Sequence, residues 1–161
     1  MPSGQESLLA GRSSTPLTDD DVRKVTNTIL GLDQEVPFRH GPGEKTRCRV
    51  YNDGDEELCE IVFGPDIYPG TSAVDPNAIL SMRAAVAHEL SHFHRWKDKT
   101  ELVGDELVHL DEALTSLDAV RRYSASLYHQ EVLQLVADAM QRLSLYAQSK
   151  LAPQPPDAAA E

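Results

Sequence analysis

The sequence predicts an α+β domain, in which a small β-hairpin or sheet packs on three to four helices. Three observations carry this expectation. Apolar residues recur at helical spacing in three stretches, and a fourth helix is announced by a start signal. Two β-prone runs flank Asn52-Asp53-Gly54-Asp55, a hairpin-turn sequence. The 161 residues, 40% hydrophobic and 25% charged, suffice for one core and have the composition of an ordinary globular domain.

The elements follow in order. Residues 1–17 are rich in Ser, Gly and Pro and read as a flexible N-terminal tail. Thr18 then caps a helix whose first turn, Asp19-Asp20-Asp21, complements the positive end of the helix dipole. Val22, Val25, Ile29 and Leu32 form its apolar stripe, and Gly31 suits its stop. Residues 36–46, with Pro37, Gly41, Pro42 and Gly43, read as loop. Strands are expected at 47–52 and 57–63. With Asp53-Gly54 as a two-residue loop, Asn52 pairs with Asp55 and Cys48 faces Cys59. Cys59, Ile61 and Phe63 share one face of the second strand and Leu58 and Val62 the other, a pattern that suits cover on both faces.

Asp75-Pro76, a cap residue followed by proline, opens a helix over about 76–97. After a connection at 98–104, a second helix is expected over about 105–125 and a third over about 129–150, each with an apolar stripe. Residues 18–151 thus form a single domain, and 152–161 a disordered C-terminal tail.

Charge and cysteine usage narrow the function. Acidic residues outnumber basic ones 26 to 15, for a net charge of -11. Such a surface repels phosphates and disfavours a nucleic-acid partner. No apolar run reaches the roughly 18 residues of a membrane span. The polar segment before Thr18 lacks the apolar stretch of a secretory signal, so a cytoplasmic setting is expected. Cys48 and Cys59 are too few for a disulfide scaffold or a four-cysteine zinc site, and read as reduced strand residues.

The chemistry lies in His88-Glu89-Leu90-Ser91-His92. Histidines four residues apart stand one above the other on a helix face and can reach one metal ion. The intervening glutamate projects about 100° around the helix, where it can take a proton from a water on that ion. This division of labour is why zinc hydrolases use H-E-x-x-H. Ala84, Ala85 and Ala87 before it let the helix pack close to a neighbour. A catalytic zinc site needs a third protein ligand and an open position. The next helix offers Leu110-Asp111-Glu112-Ala113-Leu114, and nineteen residues, 93–111, separate His92 from Glu112.

In these features the chain resembles the gluzincin metallopeptidases, in which H-E-x-x-H on one helix is completed by a glutamate on the next. Thermolysin-type members use the same interval and an N-E-A-type segment, for which Asp111-Glu112-Ala113 stands here. The likeness spans about residues 58–120. It implies a zincin-like fold with the motif on the central helix, His88, His92 and Glu112 as ligands of Zn2+, and Glu89 as general base. It also implies that the strand before the motif helix, Leu58–Phe63 here, is an edge strand that binds substrate backbone. One departure stands out. Where those enzymes place an aspartate that orients the first histidine, this chain has Ser116, with Asp118 two positions on. In length it is similar to small regulatory metallopeptidases of the ImmA/IrrE type, which act on regulatory proteins.

Other assignments stay open. Asp111 or Asp98 could supply the third ligand, with Glu101 and His109 as outsiders. Tyr123, Tyr128 and His129 are candidates to donate to an oxyanion. His94 is expected at the surface, Trp96 as a packing anchor, and Arg95 and Lys97 as basic residues closing the helix. The expected activity is zinc-dependent hydrolysis of a peptide bond in a specific protein or peptide substrate. The competing expectation is a non-catalytic, metal-stabilised interaction module, or a regulatory factor that binds a partner protein.

Overall fold

A computed structural model describes residues 11–70 and 80–151. Residues 1–10, the Asp75-Pro76 start signal and the tail 152–161 lie outside that range. The fold is α+β, with four α-helices and a three-stranded mixed sheet among the described residues. In chain order these are α1 (Asp19–Leu32), β1 (Phe38–His40), β2 (Arg47–Asp53), β3 (Glu56–Phe63), α2 (Met82–Lys97), α3 (Val108–Tyr123) and α4 (His129–Leu151). No helix among them is long and apolar enough to cross a membrane.

Helix α1 starts as its sequence dictates. The Thr18 hydroxyl accepts from the Asp21 amide, and the Asp21 carboxylate accepts from the Thr18 amide, a reciprocal capping box. It does not stop at Gly31. The helix runs to Leu32, and Asp33 ends it in extended backbone. That turn aims the Asp33 carboxylate into the domain. There it accepts from His94 Nε2 at 2.6 Å and from the Tyr123 hydroxyl at 2.7 Å. His94 is therefore no surface residue. It ties α2 to α1, and Tyr123 ties α3 to the same carboxylate.

Segment 36–46 is not all loop. Phe38–His40 pairs parallel with β3, Phe38 opposite Ile61. Three residues between Pro37 and Gly41 are too few to print a period-2 pattern. The sheet order is β1-β3-β2, so over Ile61–Phe63 the strand β3 is paired on both sides and is not an edge. The β2–β3 register also differs by one residue at the turn. Asp53 pairs with Glu56, which leaves Gly54-Asp55 as the loop. Gly54 has φ 63°, and the positive angle at the first loop position alone favours a type II′ turn over type I′. Cys48 consequently sits opposite Ile61 and Cys59 opposite Val50. The two cysteines are diagonal neighbours, with Sγ atoms 2.7 Å apart and both thiols free.

Cover on both faces of β3 is found near its end. Cys59, Ile61 and Phe63 enter the main core, and Val62 on the opposite face is fully buried. Gly64 follows because a Cβ there would strike the Glu44 carbonyl oxygen. Of the expected tail, the described part is fastened. Arg12 donates to the carbonyls of Asp66, Ile67 and Leu80.

Helix α2 starts at Met82, after Leu80 and Ser81 in non-helical backbone; the expected start at 76 lies outside the described residues. Ser81 caps it by accepting from the Ala84 amide, and donates to Glu131 Oε2 of α4 at 2.7 Å. Ala84, Ala87 and Leu90 on this helix have no exposed surface, which is the close packing expected of its small residues. Leu90, central in the motif, points to the core built from Val25, Ile29, Ile61, Phe63 and Leu135, which leaves His88 and His92 on another face. The helix expected near 105 begins with a 3-10 turn, Asp105–Leu107, before α3.

The Asp33 junction sets a pH dependence of stability. Burial opposes ionisation of Asp33, but the hydrogen bonds from His94 and Tyr123 outweigh it and hold its carboxyl below the ordinary 3.8. A carboxyl depressed in the folded state stabilises it above the unfolded pKa and loses that contribution as pH falls through the folded value. Asp33→Asn should cost about 2 kcal/mol at pH 7. The gap between the two proteins in urea unfolding should shrink from pH 5 downward. In the hairpin, the neighbouring Cys59 thiol, then burial, push the Cys48 thiol far above its ordinary pKa. Cys48 in the folded chain should therefore alkylate at least about tenfold more slowly at pH 8 than in the unfolded chain.

Candidate metal centre

Two antiparallel helices build the site. His88 of α2 meets Glu112 and Ser116 of α3, His92 meets Glu112 and Thr115, and Arg95 meets Asp111 and Thr115. Rising numbers on one helix meet broadly falling numbers on the other. The one-turn spacing of the histidines holds their ring centroids 4.8 Å apart, nearly perpendicular at 83°.

Glu112 closes the cluster. Its Oε2 lies 2.8 Å from His88 Nε2, and both its oxygens lie 3.2 Å from His92 Nε2. One ligand atom from each of His88, His92 and Glu112 lies within 4.8 Å of the others, close enough to hold a metal ion. Tetrahedral ligands about 2.1 Å from zinc stand roughly 3.4 Å apart, so the Glu112 oxygens, 2.8 and 3.2 Å from the two imidazole nitrogens, would draw back by roughly 0.2 to 0.6 Å to admit one. Glu89 lies outside the ligand cluster, on the same buried helix segment.

The other third-ligand candidates are engaged elsewhere. Asp111 pairs with Arg95 at 2.8 Å and accepts from the Leu102 amide. Asp98 caps the end of α2 and pairs with Arg122 at the surface. Glu101 and His109 are not in the cluster. The oxyanion candidates are dispersed too. Tyr123 is bonded to Asp33, Tyr128 is exposed beneath the Arg83 guanidinium, and His129 opens α4 at the surface. Trp96 packs on Phe93, as an anchor should, and donates to Glu57. Asp118 pairs with Arg121 and Arg122 and so does not serve His88.

Electrostatics follow from burial and proximity. Burial disfavours the charge on Glu112, but His92 and hydrogen bonds from both imidazoles hold its carboxyl well below the ordinary range. Burial disfavours the charge on His92, and Glu112 outweighs it, raising the imidazole to about 9. Glu89 has burial as its main influence, and its carboxyl is raised.

Several side chains around the cluster escape a sequence reading. Arg95 does more than close its helix. It is buried, and donates to the carbonyls of Asp111 and Thr100 and to the Thr115 hydroxyl. Ser116 and Thr115, consecutive on α3, face the Nδ1 atoms of His88 and His92 at 2.8 and 3.5 Å. Asp138, on α4, accepts from the Ser116 hydroxyl at 2.6 Å and from Arg142 Nε at 2.8 Å. Asp138 stands 22 positions after Ser116 and on another helix, so only the fold brings them together. The one sequence signal is an acid set within the apolar stripe of α4, beside Ala139 and between Leu135 and Arg142.

No known protein family matches the chain, and no curated protein or solved structure matches it.

Arg95 pins the Glu112 helix to the motif helix one turn beyond the cluster. Arg95→Met leaves the Asp111 carboxylate without its cation, which should cost about 3 kcal/mol in denaturant unfolding. A loss under about 1 kcal/mol would show that the helices are held by apolar packing alone.

Proposed function

We propose that this chain is a small zinc-dependent peptidase of gluzincin type, acting on a specific protein substrate. The observation that carries the reading is the convergence of His88, His92 and Glu112 from two helices. These are the residue types, the helix order and the interval that such a site requires. Three protein ligands leave a tetrahedral cation one open position, which a structural site would fill.

His88 and His92 would bind through Nε2, the atoms turned to Glu112, and Glu112 would bind through its carboxylate. A bound zinc ion supplies Lewis acidity, lowering the pKa of water and polarising a peptide carbonyl. Glu89 is the general base that takes the proton of the attacking water and passes it to the leaving amine. Burial raises its carboxyl, which suits a group that must both accept and return a proton.

The rival reading, an ion that merely staples the helices of an interaction module, is less well supported. Arg95 and the Asp33 cluster already fasten α2 to α3, and Ser81 fastens α2 to α4. A staple would add little.

The test has two parts. Elemental analysis of the purified chain should find about one zinc per chain, and His92→Ala and Glu112→Gln should lose it. Glu89→Gln should keep the metal. New protein N-termini, mapped by mass spectrometry after incubation with a cell lysate, should appear with the parent chain and fall at least about a hundredfold with Glu89→Gln. Equal cleavage by both would sink Glu89 as the base. Retained zinc with no cleavage would favour the interaction module.

A further inference from the structure

We infer that Ser116 and Asp138 form a relay that positions His88, replacing a direct carboxylate partner on α3; this rests on the metal-site reading above. Counting protons along the chain of contacts leads there. Asp138 has no exposed surface, and its Oδ2 accepts from Arg142 Nε at 2.8 Å. The same oxygen lies 2.6 Å from Ser116 Oγ, and a carboxylate beside a guanidinium is an acceptor. The single Ser116 hydroxyl proton is therefore given to Asp138. Ser116 Oγ can then only accept from His88 Nδ1, 2.8 Å away, so that nitrogen carries the hydrogen. In the neutral imidazole the lone pair is left on Nε2, which faces Glu112 Oε2 at 2.8 Å. Two acceptors at that distance need a shared proton or a metal ion between them, and the relay keeps Nε2 aimed at the place such an ion would take.

The relay also spans both sides of the cluster. Arg142 is buried, and its Nη1 lies 3.7 Å from Glu112 Oε2, so one guanidinium faces both Asp138 and the third ligand. A fully buried aspartate is costly unless it is paired and hydrogen-bonded, and Arg142 and Ser116 supply both. Here it fixes a tautomer and a ring orientation. Because the carboxylate comes from α4, this helix becomes part of the metal site. Outer partners of metal-bound histidines are worth about 10- to 100-fold in affinity.

Ser116→Ala, Ser116→Thr and Asp138→Asn separate the possibilities. Each full chain is titrated with zinc against a chromophoric chelator, and its metal-free thermal unfolding is recorded. The relay predicts that Ser116→Ala and Asp138→Asn weaken zinc binding about 10- to 100-fold, while Ser116→Thr, which keeps the hydroxyl, stays within a few-fold of the parent. Nitrogen-15 NMR of the zinc-loaded parent should find His88 protonated at Nδ1 and metal-bound at Nε2. Parent-like affinity in Ser116→Ala, equal weakening in Ser116→Thr, or the opposite nitrogen assignment overturns the relay. The NMR assignment decides the matter if the variants fail to fold. A parent chain that binds no zinc overturns the metal-site reading instead.

Discussion

The structure turns on one constraint: two imidazoles and a carboxylate are held in mutual contact in a buried place. The side chains of His88 and Glu112 are largely shielded from solvent, and their facing atoms are 2.8 Å apart. Three Lewis bases do not gather this way for packing. Desolvation penalises each, and only a proton or a cation shared among them offsets it. The surrounding architecture reads as the means of keeping that arrangement closed. Small residues on α2 bring the helices together, Arg95 locks α3 one turn beyond the cluster, and α4 supplies the charge behind His88.

Much of this is legible in the sequence because it is local. The capping box of α1 needs only Thr18 and Asp21, and the i, i+4 histidines need only a helix. The interval from His92 to Glu112 is legible because a short connection between two periodic stretches leaves the helices antiparallel neighbours. Sequence does not separate Glu112 from Asp111, since adjacent positions differ by about 100° and the helix phase is open. What separates them is Arg95, which takes Asp111 as its partner and leaves Glu112 to the histidines.

Where sequence and structure part, the deciding contact joins residues distant along the chain. His94 reads as a surface residue because its face of α2 has no visible partner, yet Asp33 lies 61 positions earlier. The register of the hairpin turns on whether Asp53 or Asp55 joins Gly54 in the loop, a choice decided by pairing along the whole of β2 and β3. β1 is a strand because β3 offers it an edge, a tertiary cause that three residues cannot announce. Ser116 looks like a defect where an aspartate is expected. In the fold it is a spacer, and the carboxylate it lacks stands one helix away.

That spacer bears on what an ion at this site would do. In a domain that folds only around its metal, binding free energy is folding free energy, and the protein has few other ties at the site. Here the helices carry ties of their own: Arg95 across α2 and α3, Ser116 to Asp138 across α3 and α4, and Ser81 to Glu131 across α2 and α4. On the proposed reading, a frame so fastened would hold the three side chains near their ligating positions, and little of an ion's binding energy would go into ordering the chain. On that reading, what the frame adds is three ligands that would leave one position of a tetrahedral ion open, with the buried Glu89 on the next face of the helix. A structural site gains nothing from an open position, whereas on the proposed reading the open position is where the substrate carbonyl and water meet.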